Sequence, residues 1–115
     1  MSNRILIIDD EKLIRESLTH LLGGAGYRVE VASRVDDAKV QIEKEVYDLI
    51  LIDLRLPDGS GIDLMRYIHD QIDYAPLCIM MTAYGSVDTA VEAMKYGAYD
   101  YINKPFKSKE ILLIV

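Results

Sequence analysis

Short apolar runs of β type alternate with amphipathic stretches of helical period along the whole of this 115-residue chain. The runs are RILII, RVEV, DLILI, LCIMM and YDYI. Such alternation with short links calls for a parallel sheet with right-handed helical crossovers. The first strand is expected at Arg4 to Asp9, apolar at successive positions as a strand covered on both faces requires. Helical spacing follows over Glu11 to Leu22, through Ile14, Leu18, Leu21 and Leu22, and Gly23, Gly24 and Gly26 offer its stop. Arg28 to Val31 alternates polar and apolar, as an edge strand does. Ser33 is placed to cap a second helix with the stripe Val35, Ala38, Ile42 and Val46. Asp48 to Asp53 is the most apolar strand and is expected at the centre. Pro57-Asp58-Gly59 reads as a turn before a third helix, Ser60 to Gln71. The fourth strand spans Leu77 to Thr82. Gly85-Ser86 opens a fourth helix with Val87, Ala90, Val91 and Met94 inward, stopping near Gly97. A fifth strand covers Tyr99 to Ile102, and a last helix begins near Ser108.

Chemically unlike polar residues fall where these strands run out: Asp9-Asp10, Asp53, Thr82 and Lys104. In an open parallel α/β sheet, ligands bind outside the carboxyl ends of the strands, at the point where the strand order reverses. With the site between strands one and three, the order 2-1-3-4-5 is expected. Three carboxylates, a hydroxyl and an ammonium would then share one pocket, a set suited to a divalent cation and a phosphoryl group on Asp53. Each residue alone has a plainer reading. An acidic pair before a helix can cap it, a threonine at a strand end is usually structural, and a lone lysine is usually solvated. Three neighbouring carboxylates without a cation would repel, and a hard divalent ion with oxygen ligands removes that conflict.

Thirteen basic against nineteen acidic residues leave a net charge of −6, which disfavours direct nucleic-acid binding by this domain. No apolar run approaches the length of a membrane span, and MSNR before the first strand lacks the core of a signal peptide. A cytoplasmic location is expected. Cys78, the only cysteine, sits within LCIMM and reads as a buried structural thiol. His20 and His69 lie on helices away from the strand ends and are expected in solvent.

The pieces ILIIDDEK, LILIDLRLPDGSGIDL and MMTAYGSVDTAVEAMKYGAYDYINKPF follow one another over nearly the whole chain. In that order they resemble the receiver domain of bacterial two-component response regulators, with the third piece most like receivers of enhancer-binding transcriptional activators. The resemblance implies a flavodoxin-like five-stranded fold over residues 1–115. It implies phosphoryl transfer from a partner histidine kinase to Asp53, with Mg2+ held by Asp10, Asp53 and the backbone carbonyl of Arg55, and Asp9 acting through water. Lys104 and Thr82 would each meet a phosphoryl oxygen, small Ala83 would leave room, and a cis bond before Pro105 would aim Lys104 inward. Tyr101 takes the place of the family's rotating aromatic, which moves into space that Thr82 vacates; the plainer reading is a tyrosine half-burying its ring on an edge strand. Arg55 and Tyr84 would flank the phosphoryl entrance.

The same resemblance implies a switch surface of helix four, strand five and helix five. It also implies that the domain catalyses its own phosphorylation and dephosphorylation rather than turning over a substrate. A haloacid-dehalogenase-like Mg2+-dependent phosphatase is the main competing reading. It uses Asp, Thr and Lys too, but carries its nucleophile after the first strand with a second Asp two residues on. A flavin-type phosphate loop is disfavoured because DDEK would repel phosphate. The last helix stops at ILLIV, shorter than receivers usually run, so a longer chain with an output domain is expected. Leu113 and Ile114 are left without an obvious cover, which favours a partner surface, either in a symmetric homodimer or through an exchanged C-terminal element.

Overall fold

The computed structural model describes residues 3–83 and 87–104, Val87 by its backbone only. Five strands, β1 (Arg4–Ile8), β2 (Arg28–Ala32), β3 (Leu49–Asp53), β4 (Leu77–Thr82) and β5 (Asp100–Asn103), pair in parallel in the order β2-β1-β3-β4-β5. This is the order expected for the doubly wound sheet. Helices α1 (Lys12–Gly24), α2 (Val35–Lys44), α3 (Gly61–Gln71) and α4 (Val87–Lys95) form the crossovers. The expected helix near Ser108, the Gly85-Ser86 start, Tyr84 and Pro105 lie outside the described residues.

Each face of the sheet carries its own core. Leu6, Ile8, Ile50, Ile52 and Met80 pack with Ala38 and Ile42 of α2, Leu64, Met65 and Ile68 of α3, and Ala93 of α4. Ile5, Ile7, Leu51, Ile79 and Met81 point the other way, with Leu18 and Leu22 of α1. All five residues of β3 are buried, so the strand expected at the centre is covered on both sides. The parallel registers Ile8↔Ile52, Asp53↔Met81 and Thr82↔Asn103 make the strands end together. The polar residues that follow them are thereby delivered to one edge.

Several local expectations give way to packing. The first helix runs on through Gly23 and Gly24, and the left-handed backbone falls only at Gly26, with φ 99°. Ser33 does not cap α2. The cap position is Arg34, which makes no side-chain cap bond, and the Asp58 carboxylate instead accepts from the Val35 and Asp36 N–H groups at 2.7 and 3.1 Å. Val46 lies past the end of α2 and is exposed. On α4, Val91 and Met94 face solvent and the small Ala93 makes the buried contact. Ser60, expected as the first residue of α3, is its cap instead, its Oγ accepting from Ile62 N–H at 3.1 Å. Cys78 is buried, as expected.

Candidate functional site

The loop after β3 is shaped by one close approach. A Cβ on Gly61 would lie 2.1 Å from the carbonyl oxygen of Asp53, so only glycine lets α3 begin directly over the end of β3. The Gly61 N–H donates to the Leu54 carbonyl at 2.8 Å, and Arg55–Leu56 pairs antiparallel with Gly59–Ser60 in a short ribbon. Asp53 is held by this frame, 5% exposed, and the Arg55 backbone N–H bonds to its carboxylate.

Asp9 follows β1 and is fully buried. Its Oδ1 accepts from the Glu11 N–H at 2.9 Å, while Oδ2 lies 2.6 Å from Lys104 Nζ. The Arg15 guanidinium donates to the Asp9 carbonyl at 2.9 Å. Both Asp9 oxygens are therefore engaged by the protein. Asp10 is exposed, and one carboxylate oxygen from each of Asp9, Asp10 and Asp53 lies within 4.8 Å of the others. Lys104 Nζ is 3.5 Å from Asp53 and 3.4 Å from Glu11. The Lys104 N–H, in turn, donates to the Thr82 carbonyl at 2.8 Å, tying the ends of β4 and β5 together.

Burial, followed by the charge of Asp9, pushes the Asp53 carboxyl up to about 6, while Lys104 and the Arg55 N–H pull it partly back. Burial alone would lower the Lys104 ammonium. Its bond to Asp9 and the charges of Asp9, Asp53 and Glu11 more than offset that and hold it above the usual lysine value. Among the described residues the site thus gathers a surplus of carboxylates around the Lys104 ammonium. An all-oxygen donor set of clustered carboxylates fits a hard divalent cation.

A cavity of about 330 Å³ opens here, lined by Asp10, Glu11, Asp53, Arg55, Ala83 and Lys104. Thr82 is fully buried and is not part of that lining. The registers Met80↔Tyr101 and Thr82↔Asn103, with side-chain alternation, put Thr82 on the same sheet face as Tyr101, which packs against the core that holds Met80 and, from α4, Ala93. The Tyr101 hydroxyl is buried and has no hydrogen-bond partner among the described residues. Glu11 and Arg15 were not singled out from sequence. Glu11 extends the acidic run by one residue, but nothing in the sequence marks Arg15, six positions from the carbonyl it holds. His20 and His69 are exposed, away from the pocket.

Residues 5–115 match the family model of the response regulator receiver domain. The chain belongs to that family. The receiver is 46% identical over 102 residues to the response regulator protein PilR of Pseudomonas aeruginosa, covering 89% of this chain and 23% of that protein. It is 38% identical over 114 residues to the regulatory protein AtoC of Escherichia coli, covering 98% of this chain and 24% of that protein. The receiver therefore spans about a quarter of the length of these relatives. Among solved structures, a CheY-like receiver domain protein from Methanospirillum hungatei superposes with a TM-score of 0.93 at 34% identity, over 99% of this chain and 90% of that one. The beryllofluoride-activated NtrC4 receiver domain dimer gives 0.90 at 36% identity, over 96% and 90%. These matches lend no support to the dehalogenase-like alternative.

Proposed function

We propose that this receiver accepts a phosphoryl group on Asp53 and uses it to switch the surface around α4 and β5. The observation that carries the reading is the convergence of Asp9, Asp10 and Asp53 with Lys104 at the carboxyl edge of the sheet. Asp53 Oδ attacks the phosphorus of a phosphohistidine on a partner kinase. The new P–O bond forms as the P–N bond breaks, and the imidazole leaves with the electron pair, giving an acyl phosphate. Lys104 sits close enough to meet a phosphoryl oxygen, and Ala83 leaves space at the cavity wall. Thr82 would present its hydroxyl to another oxygen by turning from its buried position, and Tyr101 shares the face it would vacate.

Asp10, Asp53 and the Arg55 carbonyl would hold Mg2+ directly, with Asp9 contributing through water because both its oxygens are already engaged. When bound, the ion would offset the carboxylate charge and that of the transferring phosphoryl group, where catalysis is chiefly positioning and neutralisation. The domain acts on itself rather than on a turned-over substrate. In the longer chain that its relatives suggest, it would govern an output domain, with transcription as the controlled step in the cytoplasm. The dimeric NtrC4 receiver supports a homodimer as one form of that control.

With Mg2+ and a small phosphodonor, the intact mass rises by one phosphoryl unit and Asp53→Asn abolishes the rise. Equal labelling of the variant, or continuous release of phosphate from a generic phosphoester, overturns the reading.

A further inference from the structure

Asp58, which the phosphoryl chemistry leaves unused, anchors the loop that follows β3. It stands at the tip of the ribbon formed by Arg55–Leu56 and Gly59–Ser60, five residues beyond Asp53. Its two carboxylate oxygens accept separately from the first N–H groups of α2, Val35 at 2.7 Å and Asp36 at 3.1 Å. Arg34 Nε lies 3.8 Å from the second oxygen. Next to it, a Cβ on Gly59 would lie 3.2 Å from the Val35 methyl, so the ribbon is pressed against the helix start. The opposite end of the ribbon is closed by the Gly61 to Leu54 bond. Arg55 lies between these two anchors, with its N–H on the Asp53 carboxylate.

We propose that Asp58 is a positioning residue for the acidic pocket, fixing the backbone of Arg55 by tying the ribbon tip to the N-terminus of α2. The inference rests on the reading above, in which the Arg55 carbonyl helps to hold the cation. A ligand drawn from a loop is only as well placed as the loop, and a helix N-terminus is a rigid anchor with two unsatisfied donors to offer. A carboxylate also suits the positive end of the helix dipole. The Val35 and Asp36 N–H groups hold the Asp58 carboxyl below its usual range, so it stays ionised in this role at neutral pH.

The test measures Mg2+ affinity by calorimetry and, in metal-free protein, amide hydrogen exchange at Arg55 and Leu56. Asp58→Ala should weaken Mg2+ binding about tenfold, the scale of lost outer contacts at metal sites, and speed exchange at both amides. Asp58→Asn retains an acceptor oxygen and should recover most of both losses. Tyr74→Phe loosens α2 at its far end, where the Tyr74 hydroxyl is shared between the Ile42 and Glu45 carbonyls, and serves as the control. If Tyr74→Phe weakens Mg2+ binding as much, or if Asp58→Ala lowers thermal stability with Mg2+ affinity and Arg55 exchange unchanged, Asp58 is only a helix cap and the inference falls. Should Asp58→Ala not fold, Asp58→Ser, with a shorter acceptor, provides the same two readouts. Failure of the native chain to bind Mg2+ would overturn the metal reading itself, and Arg55 exchange would still decide whether Asp58 orders the loop.

Discussion

Asp53 pays for its position with an ionisation it resists. Its carboxyl stands at about 6 in the folded chain against an ordinary value of 3.8, first because it is buried and then because Asp9 is beside it. A carboxyl raised on folding makes the folded state bind its proton more tightly than the unfolded state does. Its stabilising share is complete below the unfolded value and is lost as pH rises through about 6. In metal-free protein with a chelator, Asp53→Asn should therefore raise stability at pH 7.5, by about 2 kcal/mol once solvent screening is allowed for. The gain should vanish near pH 4, where the native carboxyl is already protonated. Denaturant melts of both proteins at the two pH values measure it, and a gain independent of pH would show that burial and Asp9 do not strain the site. Sequence alone revealed the acidic residues but not this asymmetry. The sequence places Asp9, Asp10 and Asp53 at strand ends without showing which are enclosed; Asp9 and Asp53 are buried and Asp10 is exposed.

At the level of elements, strands were read more faithfully than helix faces. β4 falls at Leu77–Thr82 as expected, because a strand covered on both faces writes a continuous apolar run. The face of α4 was misread because periodicity gives weight to large apolar residues. Val91 and Met94 are 62% and 49% exposed, whereas Ala93, whose small side chain lets the helix lie close to the sheet, is fully buried. The cap of α2 was missed for another reason: its acceptor is Asp58, 23 residues from Val35, and local patterns carry no record of such a partner. α4 packs through Ala93 on the core that Tyr101 borders and turns Val91 and Met94 to solvent, so a two-state shift of that element would carry a signal outward. Loading with beryllofluoride should therefore move amide resonances across 87–101 more than across 33–46. Small, uniform shifts in the first stretch would place the switch elsewhere.

For the molecule as a whole, the sheet order and the edge at which the acidic residues meet were legible because they follow from the same fact. Four right-handed crossovers in a chain of this length leave few arrangements, and the polar residues after the strands mark which edge is the working one. What the sequence left open is how charge is arranged at that edge, where Glu11 joins the three aspartates. A chain of net charge −6 gathers Asp9, Asp10, Asp53 and Glu11 around Lys104, so like charges oppose the compact state where the strands end. A divalent cation bound only by the folded chain relieves that opposition and shifts unfolding by mass action. At a hundredfold excess over its Kd the stabilisation is about 2.7 kcal/mol, which for a domain of this size raises Tm by roughly 10 °C. Thermal melts with Mg2+ should show that rise, while Na+ at equal ionic strength should give much less, since screening is not coordination. Asp10→Asn should remove most of the Mg2+-specific part, because Asp10 is one of the two carboxylates proposed to hold the ion directly. An equal Tm rise with either salt would mean that the edge senses ionic strength alone and holds no specific cation.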